Sequence, residues 1–368
     1  MVETDLKIRS RLTEIDLLRF LAAFLVVLFH YTFLGTVLGD SSSMGIPVLA
    51  PFFKYGYFGV HLFFMISGFV ILMTALAKSP RQFVVSRITR LYPAFWFCCT
   101  LTFLAILLTG DKHYTVSLKD YLMNMTMLNG FFNKKYVDGV YWTLNIEIRF
   151  YFLMFLVIIF RQLRRVQYLL AAWLIVSLLL WVYPVRSLHL MFLPRYSAYF
   201  IGGAVCYLIH KEGNSFYKTA LFISSYIFAL SCVFEDMLMI ETRFATLYDY
   251  GVIAILISMF FLVFYMIATG HTRWIQSEKW LTLGILTYPL YLIHQNMGFM
   301  LFRQLHEFMN PMALIILIAA GMLMTAYLIH QQVEKPLARF LKAQMDRFLS
   351  KSVLRQKETF LDDPRVLK

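Results

Sequence analysis

Cysteine is scarce in this chain, and its few copies carry no pattern. The four cysteines among 368 residues are Cys98, Cys99, Cys206 and Cys232. Their spacing fits neither a metal-ligand set nor a disulfide framework, so no metal site is expected. They read instead as small buried hydrophobes. No internal repeat or low-complexity tract is present, which sets aside solenoid and linker architectures. No cleavable signal peptide is evident, because the first apolar run is too long for a signal h-region and leads into further runs. The stretch after Pro336 reads as a short charged tail, too small for a soluble catalytic domain.

What the chain has in abundance is apolar surface. Hydrophobic residues make up 60% of it and the mean hydropathy is +0.66, against about 45–50% apolar residues in soluble domains. Runs near the length of a bilayer crossing recur throughout. About ten spans are expected, near 17–38, 55–77, 91–109, 140–160, 166–183, 196–210, 218–234, 250–269, 281–302 and 311–330, the sixth and seventh being the weakest. Phenylalanine alone occurs 36 times, often flanking these runs, where rings suit the membrane interface.

An even number of spans places both termini on one side. The basic residues say which side. Lys7, Arg9 and Arg11, then Lys78, Arg81, Arg87 and Arg90, then Arg161, Arg164 and Arg165, and the basic tail all fall on the N-terminal side, while the opposite loops hold far fewer. The net charge of +13 is therefore an orientation signal and not a nucleic-acid footprint. The expected architecture is an all-α polytopic membrane bundle in the plasma (bacterial inner) membrane, with both termini cytoplasmic. Residues 1–16 form an N-terminal tail, 17–336 the transmembrane domain and 337–368 a basic C-terminal tail. The lipid bilayer is a partner and nucleic acid is not.

Polar residues inside such runs are costly and default to functional hypotheses. In "RFLAAFLVVLFHYTF", Arg19 and His30 are separated only by apolar residues. Eleven positions apart, they lie within roughly 20° of one helical face and about 16 Å apart along the axis. Arg19 then sits near the cytoplasmic end and His30 deeper, toward the outer half. A snorkelling Arg and a His bonded to a neighbouring helix would satisfy the same pattern. In "SRITRLYP", Arg87 and Arg90 share a face and suit bidentate phosphate binding, or are ordinary inside charge. Pro93 follows them, where a first-turn proline is tolerated.

Glu147, in "YWTLNIEIRFYF", lies a few residues into its span at a depth comparable with His30. There it could orient an imidazole, face a wet vestibule or pair with Arg149. Ser67 and Gly68 suit close helix packing. His61 could line the same cavity. His294 is either a second site residue or a packing hydrogen bond. The loop near 110–139 could contact a polar substrate, with a solvated loop as the default.

Taken together, "EIDLLRFLAAFLVVLFH", "GYFGVHLFFMISGFVI", "RITR", "WTLNIE", "TYPLYLIHQ" and "VEKP" resemble, in order and spacing, the membrane-bound acyltransferase family 3. The likeness runs from about Glu14 to Pro336. It implies transfer of an acyl group, acetyl by default, from cytoplasmic acyl-CoA to a hydroxyl of a cell-envelope glycan or lipid-linked saccharide at the outer face. Acyl-CoA would be a substrate, with no permanently bound cofactor. The resemblance makes His30 the essential catalytic histidine and Glu147 a supporting acid. It makes Arg19, Arg87 and Arg90 donor-binding or site-organising residues; His61 and His294 are further binding candidates by their positions within the spans. At His61 the chain departs from relatives that often carry Asp or another small polar residue. It also lacks the soluble SGNH-type domain fused to some relatives, so a second catalyst for final transfer would be a separate periplasmic acyltransferase. The competing class is a transporter or flippase of a lipid-linked glycan without group transfer. A membrane sensor has little support.

Overall fold

The computed structural model describes residues 12–37 and 48–361, so Lys7, Arg9, Arg11 and the last seven residues of the tail, 362–368, lie outside the described residues. Long helices dominate, and no strand occurs among the described residues. In chain order they are α1 (Thr13–Leu28), α2 (Gly59–Ala77), α3 (Pro80–Thr109), α4 (Trp142–Ile159), α5 (Val166–Val182), α6 (Pro194–Glu212), α7 (Phe216–Phe244), α8 (Tyr250–Ala268), α9 (Lys279–Leu305), α10 (Pro311–Ile329) and α11 (Lys335–Leu361). By length and composition, 8 helical stretches suit a membrane crossing, which makes this an all-α polytopic membrane bundle.

The two expected spans missing from the eight are α6 and α9, and they are the centres of the packing. α6 contacts α2, α5, α7 and α8, while α9 contacts α1, α3 and α10. Protein, not lipid, surrounds them, so they tolerate small and polar residues that a lipid-facing helix avoids. The closest approach joins α2 to α6. A Cβ on Gly68 would lie 2.1 Å from the Phe200 carbonyl oxygen, and one on Gly203 would lie 1.9 Å from that of Met65. The seventh span, expected to be weak, is instead the 29-residue α7.

α3 begins well before the expected position. Ser79 and Gln82 form a reciprocal capping box with Pro80 in the first turn, so a charged stretch that could not be read as membrane span still starts a helix. Arg87 and Arg90 therefore lie within α3, and Pro93 is interior to it, not in a first turn. All four cysteines are buried free thiols, in keeping with their reading as small hydrophobes.

Two wide, π-helical turns interrupt the bundle. One continues α1 over Phe29–Leu34, and the other joins α10 to α11 over His330–Glu334. In the first, His30 Nδ1 lies 2.7 Å from the Val26 carbonyl oxygen and Thr32 Oγ1 donates to that of Leu28 at 2.7 Å. Each side chain reaches the carbonyl that its own backbone N–H would use in an α-helix, which loosens the ladder there. In the second, Pro336 has no N–H to return to Gln332, and the chain spreads by one residue ahead of it.

Candidate active site

Two cavities face each other inside the bundle. The first, of about 120 Å³, is lined by Arg19, Arg87, Arg90, Ser67, Glu147 and Tyr151. Three arginines from two helices thus converge. Asp16 Oδ1 accepts from Arg19 at 3.3 Å. Arg90 pairs with Glu334, delivered by the second wide turn, and its guanidinium lies 5.5 Å from the centre of the Tyr288 ring. Arg87 stands 5.7 Å from the Tyr151 ring and makes no ion pair among the described residues. Glu147 accepts from Ser67 Oγ at 2.9 Å and from the Tyr151 hydroxyl.

The second cavity, of about 220 Å³, holds His30. His30 Nε2-side chemistry is set by what surrounds Nδ1. A carbonyl oxygen can only accept, so the contact with Val26 puts the proton of a neutral ring on Nδ1. His294 obeys the same rule, its Nδ1 lying 2.9 Å from the Tyr291 carbonyl oxygen. Its Nε2 then presents a lone pair 3.2 Å from His30 Nδ1. The two assignments agree, and they leave the lone pair of His30 Nε2 for the cavity. Gln295 contributes its carboxamide to the same space.

Neighbouring segments lock this arrangement. The Asp138 carboxylate accepts from the Asn296 N–H at 3.0 Å, and the Tyr141 hydroxyl donates to the Leu292 carbonyl at 3.2 Å. The 138–141 turn thus clasps α9 one turn from His294. Tyr31 adds a hydrogen bond to the His294 carbonyl at 2.8 Å.

Glu147 does not join His30. Its hydrogen bonds go to Ser67 and Tyr151, in the arginine cavity, although its helical depth suggested the imidazole. Depth along a helix does not fix azimuth, and α4 turns this face toward α2 and α3. His61 also stands apart. It is buried among Tyr57, Phe58, Tyr196 and Tyr199, lines neither cavity, and its Nδ1 has no hydrogen-bond partner. His294 does meet the site, as the direct neighbour of His30. A Glu147–Arg149 pair, disfavoured by their two-residue spacing, does not form either, because Arg149 binds Asn145 and the Leu190 carbonyl.

Residues 12–344 match the family described as "Acyltransferase domain". The chain belongs to that acyltransferase family. It is 25% identical over 250 residues to a protein named as an acetyltransferase from Acidianus two-tailed virus, covering 66% of this chain and 73% of the viral protein. It is 30% identical over 159 residues to Nodulation protein 10 of Rhizobium leguminosarum bv. viciae, covering 37% of this chain and 41% of that protein. No solved structure matches.

The acyltransferase builds its two cavities from residues that sequence reasoning missed as well as from those it named. Glu334 was visible only as part of "VEKP", and its pairing with Arg90 spans 244 positions. Gln295 follows His294 directly. Val60 and Tyr291 line both cavities and form the wall between them. Tyr291 is held there by hydrogen bonds to Thr143 and the Val140 carbonyl.

Proposed function

We propose that this acyltransferase moves an acyl group, acetyl by default, from acyl-CoA to a hydroxyl of a cell-envelope glycan or lipid-linked saccharide. The single observation that carries the reading is the oriented His30 imidazole, whose cavity adjoins the arginine cavity across only Val60 and Tyr291. The arginines suit the phosphates of CoA, since guanidinium groups bind phosphate oxygens in pairs. Arg87 is free to do so, and Arg90 can exchange Glu334 for a phosphate. The pantetheine arm then carries the thioester past Tyr291 toward His30.

In the chemical step His30 Nε2 takes the proton of the acceptor hydroxyl. The hydroxyl oxygen attacks the thioester carbonyl carbon, a C–O bond forms and the C–S bond breaks. The CoA thiolate leaves and recovers the proton from His30. His294 and the Val26 carbonyl hold the ring in the tautomer that the first transfer needs. Glu147 serves the donor end by ordering Tyr151 and balancing the arginine charge.

The distribution of Lys and Arg supports a cytoplasmic arginine end and an outward-facing His30 end, with both termini cytoplasmic. The experiment is release of CoA from labelled acetyl-CoA by the purified full chain, with and without envelope glycan. Glycan-dependent release that disappears in His30→Ala supports the reading. Movement of unmodified glycan with no CoA release would replace it with transport.

A further inference from the structure

We propose that Arg243 is the anion-recognition end of the His30 cavity, and that the acceptor is a saccharide carrying a carboxylate or phosphate group. This rests on the reading that the acceptor hydroxyl is delivered to His30, and it specifies which acceptors qualify.

Arg243 lies in the last turn of α7 and lines the same cavity as His30. No acidic side chain lines that cavity. The carboxylates near it are engaged elsewhere. Glu241 accepts from the Tyr248 N–H at 2.8 Å and from the Tyr250 hydroxyl at 3.3 Å. Asp236 pairs with Arg195 at 3.0 Å. Asp249 caps the first turn of α8 through the N–H groups of Gly251 and Val252. Among the described residues Arg243 itself has no ion pair, and its guanidinium stands 5.6 Å from the centre of the Phe244 ring. A second cation, Lys54, is held at the same end by the Leu247 carbonyl at 2.7 Å.

The other walls suit a sugar. Tyr57 and Trp142 line the cavity, and Gln295 lines it with His30. An aromatic-walled cavity with a proton acceptor at one end and an uncompensated guanidinium at its rim favours a substrate with a hydroxyl and an anion on one saccharide unit. Arg is well matched to either carboxylate or phosphate. The arginine cavity already provides for the donor, so Arg243 is not needed for CoA.

Binding to the detergent-purified full chain tests this with three probes: a glucuronic-acid oligosaccharide, a saccharide 1-phosphate and a neutral glucose oligosaccharide. The wild type should bind at least one anionic probe about ten-fold tighter than the neutral one, the scale of one charged hydrogen bond. Arg243→Gln should reduce that probe to the neutral level, Arg243→Lys should keep much of the preference, and acetyl-CoA binding should not change in either variant. A preference for the carboxylate arm marks an acidic sugar, and one for the phosphate arm marks a phosphorylated or lipid-linked saccharide. Equal binding of all three probes by the wild type, or a preference unaffected by Arg243→Gln, would overturn the proposal. Anion preference without any acyl release would leave the site standing and remove the acyl-transfer reading instead.

Discussion

The two cavities are built on opposite electrostatic plans. The arginine cavity is crowded with charge, and two of its three arginines are already answered, Arg19 by Asp16 and Arg90 by Glu334. The histidine cavity holds aromatic walls, the His30 imidazole backed by His294, a single arginine and no carboxylate. The first plan suits repeated binding and release of a polyanion, because Asp16 and Glu334 can take back Arg19 and Arg90. The second suits proton transfer, because little in it competes with His30 for a hydroxyl. A wall one side chain thick, made by Val60 and Tyr291, keeps both plans side by side in one protein.

Substitutions on either side of that wall should separate the two roles. The largest effect is expected at His30→Ala, where kcat should fall about 10²–10⁴-fold, the usual worth of general acid–base help. Donor KM in steady-state assays should stay near its original value. A comparable rise in donor KM would mean that the cavities are not functionally distinct. Next is Arg87→Ala, which should raise donor KM by about 10–100-fold through loss of charged hydrogen bonds, with kcat held.

Glu147→Gln sharpens the comparison most directly. Bound to Ser67 and Tyr151, Glu147 should affect donor KM about ten-fold or less and leave the pH dependence of kcat in place. A shifted kcat profile would return Glu147 to His30. The smallest effects concern the scaffold. Gly68→Ala should cost about 1–3 kcal/mol by forcing α2 from α6, read as a lower melting temperature in detergent. Gly321→Ala, with nothing within 4 Å of its added Cβ, should be neutral or gain about 0.5–1 kcal/mol.

Much of the architecture was legible because long apolar runs have few alternatives to spanning helices. The start of α3 was not, since its first turns carry Arg81, Arg87 and Arg90 and resemble a loop until the Ser79 cap is considered. The importance of α6 and α9 was also hidden. Hydropathy ranks helices by their fitness for lipid, and these two are surrounded by other helices.

Within the site, Arg19, His30, Arg87 and Arg90 stood out through cost and spacing. Glu147 was found as a residue but assigned to the wrong neighbour, because its depth was readable and its azimuth across four helices was not. Glu334 sits in a charged stretch where one more acid raises no question, and only the folded chain brings it to Arg90. Gln295 and Arg243 left no local signal, since neither interrupts a pattern that sequence alone makes expensive.

The widened turn at Phe29–Leu34 has a bearing on how this active site can change. A π-turn holds one residue more than the α-turn it replaces. Deleting Phe29, the first residue of this turn, would let the helix close into a regular ladder. Yet every residue beyond the deletion would rotate by about 100° relative to α9. A relative shortened there would lose the contact between its two histidines, which makes the length of this segment, and not only its residues, a condition of the site.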